Sequence, residues 1–527
     1  MAALDGLDPR TPVIVGVGFR QEKLEDPKAS AEPYVLMVEA ARRAAADAGA
    51  EDLAPAIESV AVPQGMWEYR NPAKLVADAL GCPRATTILA GLGVLQLQLV
   101  TDLCDAIAAG ERAVGVVVAG EAKYRRLRST ITGEPVHDTP TDGLPPPDVH
   151  QTSQDMWCSD LESRRGLTSP IEFFAIIESA LRYARGLDVA RHRDELAALY
   201  SRFSAIAAAN PHAWKREALP AAAIRDASPR NPMLAFPYTK AHASQWNVNQ
   251  AVAILICALG RARALGLDPR RWIFPRGGAL SKHVVPLAQM RGLASHRGSV
   301  VTGERALALA EVDRADVTDA ELYSCFPAAI QSFARDLPIP EGCPWTVTGS
   351  MAFAGGPFNN ATLEGVGRMV EVLRVATAPG DAARAGAEAP DDDASARHGK
   401  AAAALPPRVG IVSNLSGIFS KQACLVLANA PGPHGWRSAD VTGEVAAADP
   451  PVPLRDGYAG PATVVGYTVV FAGGAPSHAI AICDLPDGAR TVVRSGTPAF
   501  LDALMREEWV GRRVEVAADG GFAPATP

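Results

Sequence analysis

No run of about 20 consecutive apolar residues occurs in the sequence, so no membrane-spanning helix is expected. The start, Met1 to Arg10, lacks both the charged segment and the apolar core of a secretory signal, and a cytoplasmic location is the expectation. Cysteine is scarce: eight residues, at 82, 104, 158, 257, 325, 343, 424 and 483, none in a C-x-x-C pair or beside a ligand-spaced histidine. That spacing points away from disulfides and from structural zinc, and no metal is expected. The 51 lysines and arginines form no dense basic block in a chain of formal net charge −7, so nucleic acid is not an expected partner. Gly16 and Gly18 begin a dinucleotide fingerprint that no third glycine completes, and Phe19-Arg-Gln-Glu22 does not open a helix, which excludes NAD.

What is there is ample apolar material, 48% hydrophobic against 21% charged residues, in 527 residues. That is enough for about three or four units with large cores, and it excludes global disorder. Val13-Ile-Val-Gly-Val17 reads as a buried strand and Tyr34 to Ala48 as a helix opened by Pro33 and closed by Gly49. Ser59 to Val62, Thr86 to Leu89 and Ala113 to Ala119 read as further strands, with a helix from Val94 to Ala109 ending at Gly110. The alternation implies an α/β layer with buried parallel strands.

From Glu121 to about Lys240 the rhythm loosens around two amphipathic helices, Pro170 to Arg185 and Val189 to Asn210, as a large insertion would. It returns with the strand Gln250 to Cys257. A second half begins near Arg271 and repeats the element order, with helices at Gly303 to Ala310, from Pro327, and at Asn360 to Arg374, and strands into Tyr323, at Arg408 to Ser413 and at Ala423 to Leu427. The Ala, Gly, Pro and Asp rich stretch 376–407 reads as a flexible loop. After Ala430-Pro-Gly-Pro433, strands at Ala462 to Val470, Ser477 to Cys483, Thr491 to Arg494 and Val514 to Val516, with a helix at Pro498 to Arg506, fit a small β-barrel of OB type.

Three stretches together resemble the thiolase superfamily, in particular its thiolase-like branch commonly named acetyl-CoA acetyltransferase and carrying an additional C-terminal domain. Asp319-Ala-Glu-Leu-Tyr-Ser-Cys-Phe-Pro327 stands where sterol-carrier-type thiolases have H-D-C-F and others N-E-A-F. Thr346 to Asn360, containing Gly355-Gly-Pro357, stands at the G-H-P motif, and Gly410-Ile-Val-Ser-Asn-Leu-Ser-Gly417 at the C-x-G turn. Asn210-Pro-His-Ala-Trp214, Phe236-Pro-Tyr-Thr-Lys240 and Asn247-Val-Asn-Gln250 look like the landmarks around the family's loop domain. The resemblance implies a thiolase fold of two similar halves in five αβαβα layers, with a helical loop-domain insertion and a small OB-like C-terminal β-barrel. The implied boundaries are 1–121 and 241–270 for the first half, 122–240 for the insertion, 271–430 for the second half and 440–527 for the added domain.

The residues depart from the family at its chemistry. A thiolase holds a thiolate at a helix N-terminus, and here that turn is Leu89-Ala-Gly-Leu-Gly-Val-Leu-Gln96, without cysteine. Cys104 lies about three helical turns too late and reads as structural. The family's histidine falls at Gly356, and its second cysteine at Asn414 or Leu415 depending on the alignment. What remains is Tyr323, in the place of an oxyanion-hole histidine, and Cys325, the one thiol inside a motif. Gly91, Gly93, Ser324, Gly355, Gly356, Asn359, Asn414 and Ser416 are the expected pocket lining. Tyr323 reads either as a donor to a carbonyl, as in thiolase-like aldolases, or as a tyrosine packed at a strand end, and Cys325 either as reactive or as a small buried residue. His242 and His283 carry no assigned role.

The resemblance implies coenzyme A or an acyl-CoA as ligand or substrate, no covalently bound cofactor, and a homodimer formed through the N-terminal strands. Three activities stay open: an acyl-CoA-binding protein of the acetyltransferase kind without the Cys-His-Cys set, an aldolase cleaving a hydroxyacyl-CoA, and a non-catalytic module holding acyl-CoA or lipid.

Overall fold

A computed structural model describes residues 6–153, 157–337, 339–375 and 407–525. The expected flexible loop 376–407 lies, but for Pro407, outside them. From the N-terminus the elements run β1 (Pro12–Gln21), α1 (Pro33–Ala48), β2 (Ser59–Pro63), α2 (Pro72–Leu80), β3 (Thr86–Ala90), α3 (Gln96–Ala109) and β4 (Val114–Ala122). There follow α4 (Lys123–Thr132), β5 (Val149–Gln151), α5 (Asp160–Arg164), α6 (Pro170–Ala184), α7 (Val189–Ala209), α8 (Ala221–Arg225), β6 (Met233–Ala235), β7 (Tyr238–Thr239), β8 (Asn249–Ala258) and α9 (Leu259–Ala264). The next stretch holds β9 (Phe274–Ser281), α10 (Arg297–Ala310), β10 (Asp319–Glu321), α11 (Pro327–Asp336), α12 (Ala361–Val375), β11 (Val409–Ser416), β12 (Lys421–Ala428) and β13 (Arg437–Asp440). Last come α13 (Thr442–Ala448), β14 (Gly460–Ala472), β15 (Ala475–Asp484), β16 (Arg490–Ser495), α14 (Pro498–Arg506), β17 (Arg513–Val516) and β18 (Phe522–Pro524).

Duplication is visible in the pairing. One sheet runs β1-β8-β4-β2-β3-β5 and the other β10-β11-β12-β9-β13. Within them, β1-β8-β4-β2 and β9-β12-β11-β10 share the same sequence of antiparallel, antiparallel and parallel pairs. Each sheet is therefore mixed, not parallel as expected, because the returning strand (β8 or β12) inserts between two others and opposes both. Alternation along the strands then sets the layers. Val13, Val15, Ala253 and Leu255 pack with α1 and α2 on one side. Ile14, Val17, Val252 and Ile254 face α3 and α12, which also meet Val412 and Leu425 of the second sheet. Ile411, Cys424 and Val426 cover that sheet's far side with residues of α10 and α11. The result is five layers, helix, sheet, paired helices, sheet, helix.

Both halves use one device to bring a helix onto the first strand. A Cβ at Gly16 would lie 2.0 Å from the Ala44 carbonyl oxygen of α1, and one at Gly277 2.4 Å from the Ala306 carbonyl oxygen of α10. Only glycine lets backbone approach backbone this closely. The same glycines hid β9 from sequence reading, since Pro275, Gly277 and Gly278 break a strand pattern. Helix α10 begins at Arg297, not Gly303, because Gly298 fits closely against the Gln422 side chain, where a Cβ would lie 2.1 Å from Oε1. The strand expected into Tyr323 stops at Glu321, beyond which the Leu322 N–H turns to the Trp345 carbonyl.

The C-terminal strands form an antiparallel ladder in the order β16-β15-β14-β17-β18. Among the described residues it is not a closed barrel, as had been expected; its edges meet at a single bridge, Arg494 to Gly521. It is joined to the rest through β6, where Ala235 pairs with Val470 and the Phe236 N–H donates to the Val469 carbonyl at 2.8 Å. Beneath that join, buried Arg182 of α6 donates to Glu508 at 2.7 Å and to the Tyr467 hydroxyl at 2.8 Å.

Candidate functional site

The N-termini of the two central helices meet. Helix α3 follows β3 through a turn in which Gly93 takes φ +87° and the Gly91 N–H donates to the Gln151 carbonyl at 2.8 Å. Leu95, its N-cap, offers no side-chain acceptor, and the first N–H groups of a helix need one. Asn414, on β11 of the other half, supplies it: Oδ1 accepts from the Leu97 N–H at 3.2 Å while Nδ2 donates to Thr362 Oγ1 of α12 at 3.0 Å. In return Gln96 Oε1 accepts from the Thr362 N–H at 3.2 Å, and Gln96 Nε2 donates to Asn359 Oδ1 at 3.3 Å. Asn359 continues to the Gln64 carbonyl at 2.8 Å. Helix N-termini that would receive an anion are here occupied by amide side chains of the protein itself.

Tyr323, Ser324 and Cys325 form the link between β10 and α11. The Tyr323 N–H donates to Ser413 Oγ at 2.8 Å, Ser324 Oγ accepts from the Met351 N–H at 3.1 Å, and the Cys325 carbonyl accepts from the Ser244 N–H at 3.1 Å. Burial pushes the Tyr323 phenol well above its ordinary value, aided by the neighbouring Cys325, and burial likewise pushes up the Cys325 thiol. At neutral pH both carry their protons, so Tyr323 is equipped to donate a hydrogen bond and Cys325 is not a thiolate.

Gly355, at φ +115°, and Gly356 lie close against neighbouring side chains. A Cβ on Gly356 would lie 1.8 Å from Ser244 Oγ, and one on Gly355 2.0 Å from Gln250 Oε1. A side chain at 356 would require the Ser244 hydroxyl to turn away. Ser416 ends β11 before a turn in which Gly417, Ile418 and Phe419 all take positive φ (61°, 51° and 65°), with Phe419 stacked on His296 at 3.8 Å between ring centroids.

Of the other residues weighed from sequence, Cys104 is fully buried within α3, where burial raises its thiol. His242 is buried with Nδ1 bonded to Thr239 Oγ1 at 3.0 Å, and burial lowers it to about 4. His283 lies in the loop after β9, its N–H on Ser281 Oγ at 3.3 Å. Lys421 was missed: it is 3% exposed, and its Nζ donates to Ser153 Oγ at 2.7 Å. Its phase on β12, shared with Ala423, Leu425 and Leu427, turns it towards the central helices, and that phase was readable. Two cavities, of about 620 and 260 Å³, lie elsewhere, and neither is lined by Tyr323, Cys325 or Asn414. Among the described residues no group of three or more His, Cys, Asp or Glu could hold a metal, and no helix is long and apolar enough to cross a membrane.

Known proteins resemble the chain at this level. A monomeric SCP2-thiolase-like protein type 1 from Mycobacterium smegmatis superposes with a TM-score of 0.76 at 24% identity, covering 98% of this chain and 100% of its own. An Ltp2–ChsH2(DUF35) aldolase gives 0.56 at 15% identity over 79% and 98% of the two chains. An acetyl-CoA acetyltransferase from Syntrophomonas wolfei gives 0.51 at 17% over 80% and 99%. No curated protein matches by sequence. The fold is thus thiolase-like, two similar halves with an insertion. Residues 440–521 match the family described as the thiolase-like protein type 1 additional C-terminal domain, so a body of thiolase-like fold is followed by a segment of that family.

Proposed function

We propose that the chain is a cytoplasmic acyl-CoA-binding protein that holds its thioester without forming an acyl-enzyme. The observation that carries this reading is the pair of reciprocal amide caps, Asn414 on α3 and Gln96 on α12, in the place where a nucleophile would need free N–H donors. Glycine at 356 supplies no general base there either. A protonated Tyr323 suits a donor to the thioester carbonyl. The test is thermal shift and calorimetry with coenzyme A, short and long acyl-CoAs and a β-hydroxyacyl-CoA, since a ligand of the native state raises apparent stability. Stabilisation without turnover is expected; a burst of free thiol with acylated protein would sink the reading.

A hydroxyacyl-CoA aldolase is the second reading, favoured by the fused C-terminal domain joined to the insertion through β6 and β14. In that reaction the bond electrons pass into the thioester carbonyl, where Tyr323 donates, while the β-hydroxyl loses its proton to a base. Ketone release that disappears in Tyr323→Phe with acyl-CoA affinity retained would replace the first reading with this one. We also propose a monomer in place of the homodimer that the resemblance implies, because the outer edge of β3 is already paired with β5. Light scattering giving twice the chain mass would refute it.

A further inference from the structure

A cavity of about 620 Å³ opens between the insertion helices and α11. Three helix faces converge on it: Leu181 of α6 with Arg185 at its C-cap; Glu195, Leu199 and Arg202 of α7; and Gln331 and Arg335 of α11, with the half-buried indole of Trp345 closing one side. Its volume falls in the range of small-molecule sites, about 300–1,000 Å³. The floor is apolar, from Leu181, Leu199 and neighbouring alanines, while three guanidinium groups face a single carboxylate. That carboxylate is already engaged: Glu195 binds Arg185 at 2.6 Å and Arg191 at 3.0 Å. Arg185 also reaches Gln331 Oε1 at 3.5 Å, which fixes it in the wall. Arg202 and Arg335 have neither an ion pair nor a hydrogen bond among the described residues, and both are exposed. Two uncommitted forks over an apolar floor beside an indole match one chemistry, a planar or aliphatic body that ends in an anion.

We propose that this groove binds an amphipathic organic anion, with Arg202 and Arg335 gripping its phosphate or carboxylate and Leu181, Leu199 and Trp345 covering its body. The site is separate from the one around Tyr323, and the proposal stands whether or not acyl-CoA binds there. It reaches that region through α11, whose Gln331 donates to Glu178 Oε1 at 2.8 Å, while Glu178 accepts from the Tyr238 hydroxyl that in turn receives the Ala328 N–H at 3.1 Å. Ala328 lies in the first turn of α11, just after Tyr323 to Phe326. A ligand in the groove thus bears on the helix that carries the Tyr323 link.

The test titrates the full chain by calorimetry with ADP and with decanoate, the first presenting a ring and phosphates, the second an aliphatic chain and a carboxylate. At least one should bind, and the double variant Arg202→Gln/Arg335→Gln should weaken it about tenfold or more, since charge-assisted bonds are lost while two exposed positions leave folding intact. Trp345→Leu should weaken ADP more than decanoate. Preference for ADP assigns a nucleotide-like ligand and preference for decanoate a lipid-like one. No binding of either at millimolar concentration, or equal binding to wild type and double variant with unchanged circular dichroism, overturns the proposal. Coenzyme A whose stabilisation survives the double variant binds outside the groove, so the two sites are told apart.

Discussion

The two halves share four strands, their pairing and the glycine under the first helix, and they part company after the fourth strand. In the first half β2 is followed by α2, β3 and a tight Gly91 to Leu95 turn into α3. In the second, no strand takes the place of β3 among the described residues; an irregular stretch from Trp345 to Phe358 runs to α12, with Ser350 and Phe358 at φ +74° and +47°. Buried Glu321 holds its start by accepting from the Val347 and Thr348 N–H groups at 2.7 and 3.0 Å. The common part makes the scaffold, and the divergent part makes the site. Each half also caps the other's central helix, so the arrangement at these helix N-termini is a coupled state of both halves.

That coupling can be tested by trying to undo it. Gly356→His, the single change that would place an imidazole there, should destabilise by about 1–3 kcal/mol, because the added side chain must turn the Ser244 hydroxyl away and crowd Met351. Chemical denaturation measures this, and a stable variant would show the stretch to be adaptable and the comparison too rigid. Asn414→Ala and Gln96→Ala should each cost about 1–3 kcal/mol by leaving buried N–H groups without an acceptor. Because both side chains bond Thr362, the double variant should depart from additivity by about 0.5 kcal/mol or more; simple addition would mean that the halves are capped independently.

The smallest effect concerns pH. Burial lowers His296, against Phe419 in the second half, from 6.5 to about 3, so between these values the unfolded chain takes up a proton that the folded chain refuses. Stability is then complete above about pH 6.5 and declines as pH falls. Relative to His296→Phe, the wild type should lose on the order of 2 kcal/mol by pH 5, read from urea midpoints at pH 7 and 5. Asp336, which burial raises to about 6, acts in the opposite direction in both proteins and cancels from the difference. Equal pH profiles would remove His296 from the account of the second half.

Much of the scaffold was legible because it rests on local pattern. Val13 to Val17, Gln250 to Cys257 and the caps at Gly49 and Gly110 report strand and helix directly. Strand β9 was not, since the glycines that admit α10 erase the signature of a strand. The mixed sheets were missed because alternation gives the faces of β8 and β12 but not their direction. In the site, the absence of cysteine and histidine was plain from the motifs. What holds the site was not: Ser244 lies against Gly356 and Asn414 caps α3 only through contacts between distant parts of the chain. Lys421 was within reach, a lysine in phase with three apolar residues that face the central layer.

The single rung between Ala235 and Val470, with Arg182 sealed beneath it, has a consequence for how this protein can be cut. Cleaving the chain before β14 would leave β6 as a bare hydrogen-bonding edge and open the face of α6 around Arg182 and Ile176 to water. The last third of such a fragment's problem would be solubility, not chemistry. The C-terminal strands are in this sense a lid over β6 and α6, kept in place by the cover that the body itself needs.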